Sequence, residues 1–186
     1  MSIEHANIPW IGHTTAEETV KIAGHPVHPM LIVFPLGLLA TAVIFDIIML
    51  STSDGKWSTM AWYMISAGII GGLLAAIFGL LDWIGIPSNT RAKAVGLWHG
   101  GLNVLVVLLF AVSWVLRRPD PATPTGLALG LSFTAVVIAV VAGWFGGELV
   151  DRLGVGVDEG ANLNAPSSLS SEKIETSGRT PVRRAS

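Results

Sequence analysis

The sequence predicts an all-α membrane protein: an up-down bundle of four transmembrane helices, preceded by a short helix on the membrane surface. Two observations support this prediction. Hydrophobic residues make up 51% of the 186 residues and charged residues only 13%, whereas about a quarter of the residues in an ordinary soluble domain are charged. The charges are also unevenly placed, because four apolar windows contain a single charged residue, Asp46.

Each window has about 20 residues, the length that crosses the hydrocarbon core of a bilayer as a helix. The windows cover residues 30–50, 60–81, 94–116 and 126–147. The connections between them are short and contain turn-forming glycine, proline and asparagine, so consecutive helices are predicted to run antiparallel. Beyond the shared length of the spans no duplicated half is evident, and no inverted repeat is predicted.

The segments around the four-span domain (30–157) are predicted to be an N-terminal leader (1–29) and a disordered tail (158–186). In the leader, Thr15-Ala16-Glu17-Glu18 has the form of a capping box and Gly24 is a stop signal, so residues 16–23 are predicted to form a short interfacial helix. The leader has no basic n-region, which argues against a signal peptide. The tail is rich in Ser, Thr, Asn and Pro and has no apolar period.

An even number of spans places both ends of the bundle at one membrane face, which we name side A; the opposite face is side B. Near the spans, side A has Lys21, Arg91, Lys93 and Arg152, and side B has Lys56, Arg117 and Arg118. Further basic residues of the tail add to side A. The positive-inside rule therefore favours side A as the cytoplasmic face.

Residues capable of chemistry collect at side A, where all four spans contribute one end. They are His25, His28, Asp82, His99, Asn103 and Glu148. His99 and Asn103 are four residues apart, so they share a helix face that should look into the bundle. Because a residue before proline is disfavoured in the α region, His25 and His28 are predicted to lie outside helix one, roughly 9 Å apart in polyproline geometry.

The first interpretation of these residues is a haem b inside the bundle. His99 would be one axial ligand, and His28, or less readily His25, would be the other. Asp82 or Asn103 would orient a ligand ring, and the basic residues at the start of span three would neutralise the propionates. The function would then be membrane electron transfer.

Two other interpretations use the same residues. In one, His28, His99, Asp82 and Glu148 hold zinc, copper or iron, or relay protons. In the other, the protein is a cofactor-free scaffold or subunit in which the histidines only make interhelical hydrogen bonds. Glycine stripes such as the one in span two fit either close helix packing, including a homo-oligomer, or a slot for a flat cofactor.

The same residues lie in motifs that resemble a bacterial four-helix membrane family catalogued as domain of unknown function 2231. The motifs are Gly-His-Pro-Val-His-Pro from Gly24, Leu-Asp-Trp from Leu81, His99 with Asn103, and Gly-Gly-Glu-Leu-Val from Gly146. The resemblance runs from about Ala23 to Val157. Relatives are sometimes fused to Rieske-type iron–sulfur modules, so the resemblance implies the bacterial inner membrane and a Rieske-type redox partner.

Composition also excludes several functions. The chain has no cysteine, which rules out a disulfide, a Cys-bound zinc site and a thiol nucleophile. No basic cluster is interleaved with aromatic residues as nucleic-acid binding requires. The sequence also lacks the nucleophile elbow, zinc-protease and phosphate-loop motifs.

Overall fold

Four long helices, each apolar enough to cross a bilayer, make up most of the chain. The computed structural model describes residues 20–158 and 161–170. The elements in order are β1 (Lys21–Ile22), β2 (His25–Pro26), α1 (Val27–Leu31), α2 (Val33–Thr52), α3 (Lys56–Gly85), α4 (Arg91–Arg117), α5 (Gly126–Gly147) and a π-helical segment (Glu148–Arg152). The predicted all-α, four-span fold is therefore confirmed.

Span one consists of α1 and α2, which are separated at Ile32. Pro35 has no N–H to bond the carbonyl of Leu31, and this interrupts the helical ladder. The N–H groups of Ile32 and Leu36 still donate to the carbonyls of His28 and Ile32, each at 3.1 Å. The helical path therefore continues across the break, and 27–52 form one span.

The helices form a ring in which each has two neighbours. The most extensive contacts are those of α2 with α3 and of α4 with α5, while α3 also packs on α4 and α2 on α5. The pairs α2/α4 and α3/α5 are therefore the diagonals of the bundle. The apolar centre takes side chains from all four helices: Leu39, Ala42, Val43, Ala61, Ile65, Val106, Phe110 and Ala135.

The outer surface of the bundle is also apolar. Phe34, Ile70 and Val140 are 67%, 62% and 70% exposed, and many other large aliphatic side chains point outward in the same way. Exposed apolar area on this scale is far beyond what a soluble monomer presents. The surface is therefore in contact with the lipid bilayer.

The residues before span one form a β-hairpin instead of the end of a helix. β1 pairs antiparallel with β2, and the turn between them has φ values of 52° at Ala23 and 80° at Gly24. A two-residue turn of type I′ requires positive φ at both positions, which glycine supplies at no steric cost. The helix predicted over 16–23 is therefore wrong for 20–23; residues 16–19 lie outside the described residues.

The helices extend beyond the apolar windows, and the connections are correspondingly shorter. Polar caps set two of the helix starts: the Thr90 hydroxyl accepts from the N–H of Lys93 at 3.1 Å, and that of Thr125 accepts from the N–H of Ala128 at 3.2 Å. In the tail, residues 161–170 contain turns and no helix or strand. Residues 171–186 of the predicted disordered segment lie outside the described residues.

Candidate functional site

Two clusters of polar side chains lie inside the bundle, one near each membrane face. The histidine cluster, at side A, consists of His28, His99 and Asn103. The guanidinium cluster, at side B, consists of Asp46, Ser58, Ser113, Arg117 and Ser132. The apolar core lies between them.

The ring of His28 is fixed by a backbone carbonyl of the neighbouring helix. Its Nδ1 lies 2.9 Å from the carbonyl oxygen of Ala75 in α3. Because a carbonyl oxygen only accepts hydrogen bonds, Nδ1 must be the protonated nitrogen. In the neutral ring, Nε2 then has a free lone pair, the state in which histidine binds metals.

His99 is held in the same way on the other side of the bundle. Its Nδ1 lies 2.9 Å from the carbonyl oxygen of Ala142 in α5, so this ring has the same tautomer as that of His28. The Asn103 amide nitrogen donates to the carbonyl of His99 at 2.8 Å and lies 3.4 Å from its Nε2. The amide thus faces the nitrogen that a ligand would use.

A glycine lies against each imidazole. A Cβ added at Gly79 would lie 2.8 Å from Cε1 of His28, and one added at Gly146 would lie 3.1 Å from Cε1 of His99. Both values are below ordinary van der Waals contact, so these two positions need glycine for the rings to pack as they do. The two rings are edge to face, with centroids 6.3 Å apart and planes at 90°.

Of the two histidines that precede a proline, only His28 is placed differently from the prediction. His25 does lie in an extended segment, where it is exposed and its Nδ1 is 3.2 Å from the carbonyl of Ala23. His28, however, is the second residue of α1, because Pro29 lies in the first helical turn, where a missing N–H costs no helical bond. The bond to Ala75 then holds the ring inside the bundle.

The two carboxylates expected at side A have different surroundings. Asp82 is only 8% exposed and lies on α3 seven residues after Ala75, on the same helix face. Glu148 forms an ion pair with Arg91. Among residues 20–158 and 161–170, no group of three or more His, Cys, Asp or Glu side chains is arranged to hold a metal ion.

The basic residues at the start of α4 are both engaged with protein groups. Arg91 is the partner of Glu148. Lys93 donates from Nζ to the Trp83 carbonyl at 2.6 Å and lies 3.9 Å from the centroid of the Trp83 ring. The Trp83 indole N–H returns a bond to the Lys93 carbonyl at 3.0 Å. These contacts tie the end of α3 to the start of α4.

The guanidinium cluster was not foreseen from the sequence, which places Arg117 among the loop charges of side B. Arg117 and Asp46 are both fully buried. Two parallel bonds of 2.7 Å join NH1 and NH2 of Arg117 to the Asp46 carboxylate oxygens. A signal was present: an aspartate inside a membrane span needs a buried partner, and Arg117 is the first basic residue after span three.

Three serines complete the guanidinium cluster. The hydroxyl of Ser113 accepts from Nε, that of Ser58 from NH1 and that of Ser132 from NH2, at 3.2–3.3 Å. A guanidinium has five N–H donors, and the carboxylate and the serines together supply an acceptor for each. One residue at least comes from each of α2, α3, α4 and α5, so the cluster joins all four spans.

These features define the class of protein. It is a multi-pass membrane protein of four transmembrane helices, with a buried polar cluster near one end of the bundle and a half-buried one near the other. The chain belongs to the family described as "Predicted membrane protein (DUF2231)", which matches residues 24–159. The match covers all four spans and both clusters and confirms the family resemblance. No curated protein and no solved structure matches the chain.

Proposed function

We propose that the protein is a membrane redox component that binds haem b between His28 and His99 at side A. One observation supports this most directly: each imidazole donates its Nδ1 proton to a helix carbonyl and keeps Nε2 as the acceptor. Histidines that bind metals almost always have their second nitrogen fixed in this way, because the bond sets the tautomer and the ring orientation.

The two rings also lie close to each other, although they come from spans one and three. Their centroids are 6.3 Å apart, with the ring planes at 90°. A metal or haem at this place would therefore be held by His28 and His99 together.

Haem binding between the two rings would require side chains to move. Gly100 and Gly143 have no side chain of another helix within 4 Å of an added Cβ, but both positions are exposed on the outer surface of the bundle. The Arg91 and Lys93 side chains would have to leave Glu148 and the Trp83 carbonyl to meet propionates. Bound haem would supply one-electron transfer, while the chain orients the two ligand rings and excludes water.

The test is an oxidised and dithionite-reduced absorption spectrum of the detergent-purified protein. We expect a Soret band with sharp reduced α and β bands, lost in His28→Ala and in His99→Ala. His25→Ala is the matched control, because His25 is exposed and bonded within its own hairpin; it should leave the spectrum unchanged. A colourless protein from cells with ample haem would contradict haem binding.

A second candidate is a non-haem zinc, copper or iron site, or a proton relay, and the burial of Asp82 favours it. Asp82 is three residues after Gly79, on the face of α3 that contacts His28. It is therefore the carboxylate closest in sequence to the contact between Gly79 and His28. Elemental analysis of colourless protein would then find metal that Asp82→Asn lowers and His25→Ala does not. Colourless and metal-free protein would instead favour the cofactor-free scaffold.

Location and partners form part of the same proposal. We place the protein in the bacterial cytoplasmic membrane with side A in the cytoplasm. The redox partner would be a Rieske-type protein, as the family resemblance implies.

A homo-oligomer is also proposed. Gly126 and Gly130 on α5 have no side chain of another helix within 4 Å of an added Cβ, and this leaves room for a helix of a second copy.

A further inference from the structure

His28 and His99 make the same two contacts, each with a different neighbouring helix. His28 bonds the carbonyl of Ala75 and packs on the glycine four residues later. His99 bonds the carbonyl of Ala142 and also packs on the glycine four residues later. In both cases the histidine lies at the side-A start of a span, and its acceptor lies on the next span, with which that span forms an antiparallel hairpin.

The sequences around these contacts repeat as well. Residues 75–79 and 142–146 both read Ala-x-x-Phe-Gly, and residues 28–33 and 99–104 both read His-x-x-Leu-x-Val. Each fragment is short, and neither identifies a repeat without the other. The structure connects them, because the two fragments of each half are the ones that contact each other.

The correspondence continues to the other membrane face. Asp46 follows His28 by 18 residues, and Arg117 follows His99 by 18 residues. This interval is five helical turns, about 27 Å along the axis, so each charged residue lies on the same helix face as its histidine. Asp46 and Arg117 thus occupy equivalent positions in the two halves, and they pair with each other.

Both pairs join helices that are diagonal in the bundle. His28 and His99 meet across the centre near side A, and Asp46 and Arg117 meet across it near side B. A twofold rotation about an axis along the bundle, passing between the two members of each pair, would superimpose α2 on α4 and α3 on α5. This arrangement is a parallel repeat about an axis along the membrane normal.

We infer that the chain consists of two equivalent helical hairpins, α1–α3 and α4–α5, and that the Asp46–Arg117 pair is a positioning pair for His28 and His99. Opposite charges at equivalent positions allow only one neutral pairing of the hairpins. A slip of one helical turn would leave a carboxylate and a guanidinium buried without each other, which is strongly unfavourable. The pair therefore holds the two histidines at one level; what they bind there rests on the proposed function.

The equivalence is tested by exchanging the two charges in the full-length protein. Asp46→Arg and Arg117→Asp alone should each lower the melting temperature in detergent sharply, because each buries two like charges. The double variant should recover most of the loss. Ala42 stands where Ser113 stands in the other half, so adding Ala42→Ser should improve the recovery by restoring an acceptor for Nε. A double variant no more stable than the single variants would overturn the equivalence.

The positioning role is tested with a neutral pair, Asp46→Leu with Arg117→Met. Well-packed apolar replacements of a buried ion pair are often as stable as the pair itself, so we expect this variant to fold. Without the charges the register is no longer specified, and the affinity of the histidine site for added Cu²⁺, followed by electron paramagnetic resonance, should fall about tenfold or more. The charge-exchanged variant should keep the parental affinity.

The outcomes separate the claims. Parental Cu²⁺ affinity in the neutral-pair variant would overturn the positioning role. Failure of the parental protein to bind either haem or Cu²⁺ through His28 and His99 would overturn the proposed function and the positioning role together. The melting temperatures of the charge-exchanged variants would still decide whether the two hairpins are equivalent.

Discussion

At the residue scale, the two polar clusters differ in how fully the hydrogen-bonding capacity of their side chains is used. Arg117 has an acceptor for each of its donors, which leaves it nothing to offer a ligand. Each histidine instead uses one nitrogen for a strong backbone bond and keeps the other as an acceptor. The guanidinium cluster is therefore suited to holding helices together, whereas the proposed ligand site depends on the second nitrogen of each histidine.

Replacement of Arg117 by lysine tests the role of donor number. Lysine keeps the positive charge but has three donors on one atom and lacks the planar fork that matches a carboxylate. We expect Arg117→Lys to lower the free energy of unfolding by about 2 kcal/mol or more, since bonds to buried partners are broken. Denaturant titration in mixed micelles measures this value. Arg118→Lys, at an exposed position, should change it little, and equal stabilities of the two variants would contradict the prediction.

A methyl group at Gly79 tests the packing of the His28 ring. Gly79→Ala places Cβ 2.8 Å from Cε1 of His28, so the ring must shift and its bond to Ala75 must lengthen. We expect a loss of about 1–3 kcal/mol in stability, the usual cost of overpacking, together with weaker ligand binding. Gly100→Ala is the control, because an added Cβ there meets open space. If both alanines act alike on binding, the contact with His28 has no role.

At the element scale, the sequence predicted the four helices but not their ends. Apolar composition marks only the hydrocarbon core, whereas backbone hydrogen bonding continues into the polar interface until a cap or a turn stops it. α3 therefore begins at Lys56 and ends at Gly85, beyond its window on both sides. The helix predicted in the leader was wrong for a related reason. Ala23 and Gly24 adopt positive φ and form a hairpin turn, and the capping-box pattern of the preceding residues gave no indication of this turn.

The two side-B connections should be sensitive to acid. Hydrogen bonds from Lys56 hold the pKa of Asp54 below its ordinary value, and bonds from Thr123 and the N–H of Ala122 do the same for the pKa of Asp120. Because the pKa of each aspartate is lower in the folded protein, its hydrogen bonds stabilise the folded loop fully at pH values above 3.8, the pKa in the unfolded chain. This stabilisation is lost as the pH falls through the lower pKa of the folded state.

Amide exchange in micelles across pH 3–6, corrected for intrinsic rates, measures this effect. We expect protection of the residues after Asp54 and Asp120 to fall at the acid end. Asp120→Asn should remove the pH dependence of its own loop and leave that of the Asp54 loop intact. Residues 86–90 contain no acidic side chain and serve as an internal control at side A. Parallel loss of protection in all three connections would contradict a carboxylate origin.

At the scale of the whole molecule, threading the spans up and down predicted that His28 and His99 would lie at one membrane face. The direct contact between them could not be predicted, because it depends on the rotation of each helix about its axis. The repeat was missed for the same reason. Ala-x-x-Phe-Gly occurs at 75–79 and 142–146 among many apolar pentapeptides. It indicates a repeat only when the structure shows that each of the two glycines packs against a histidine ring.

The burial of Arg117 also changes the charge balance across the membrane. A guanidinium paired with Asp46 inside the bundle presents no net charge to either face. The basic residues near the spans are then Lys21, Arg91, Lys93 and Arg152 at side A, against Lys56 and Arg118 at side B. The positive-inside rule counts charges available in the flanking segments. Without Arg117, the count on which the predicted cytoplasmic position of side A depends changes from four against three to four against two.

Single cysteines test this orientation, because the chain contains none of its own. Ser88→Cys places a thiol in the exposed connection at side A, and Ser53→Cys places one in the exposed connection at side B. With side A in the cytoplasm, a membrane-impermeant maleimide added to intact spheroplasts should label position 53 and leave position 88 unlabelled until the membrane is opened. The opposite pattern would reverse the orientation and move the histidine cluster to the outer face. There, any electron exchange through His28 and His99 would have to involve an extracytoplasmic partner.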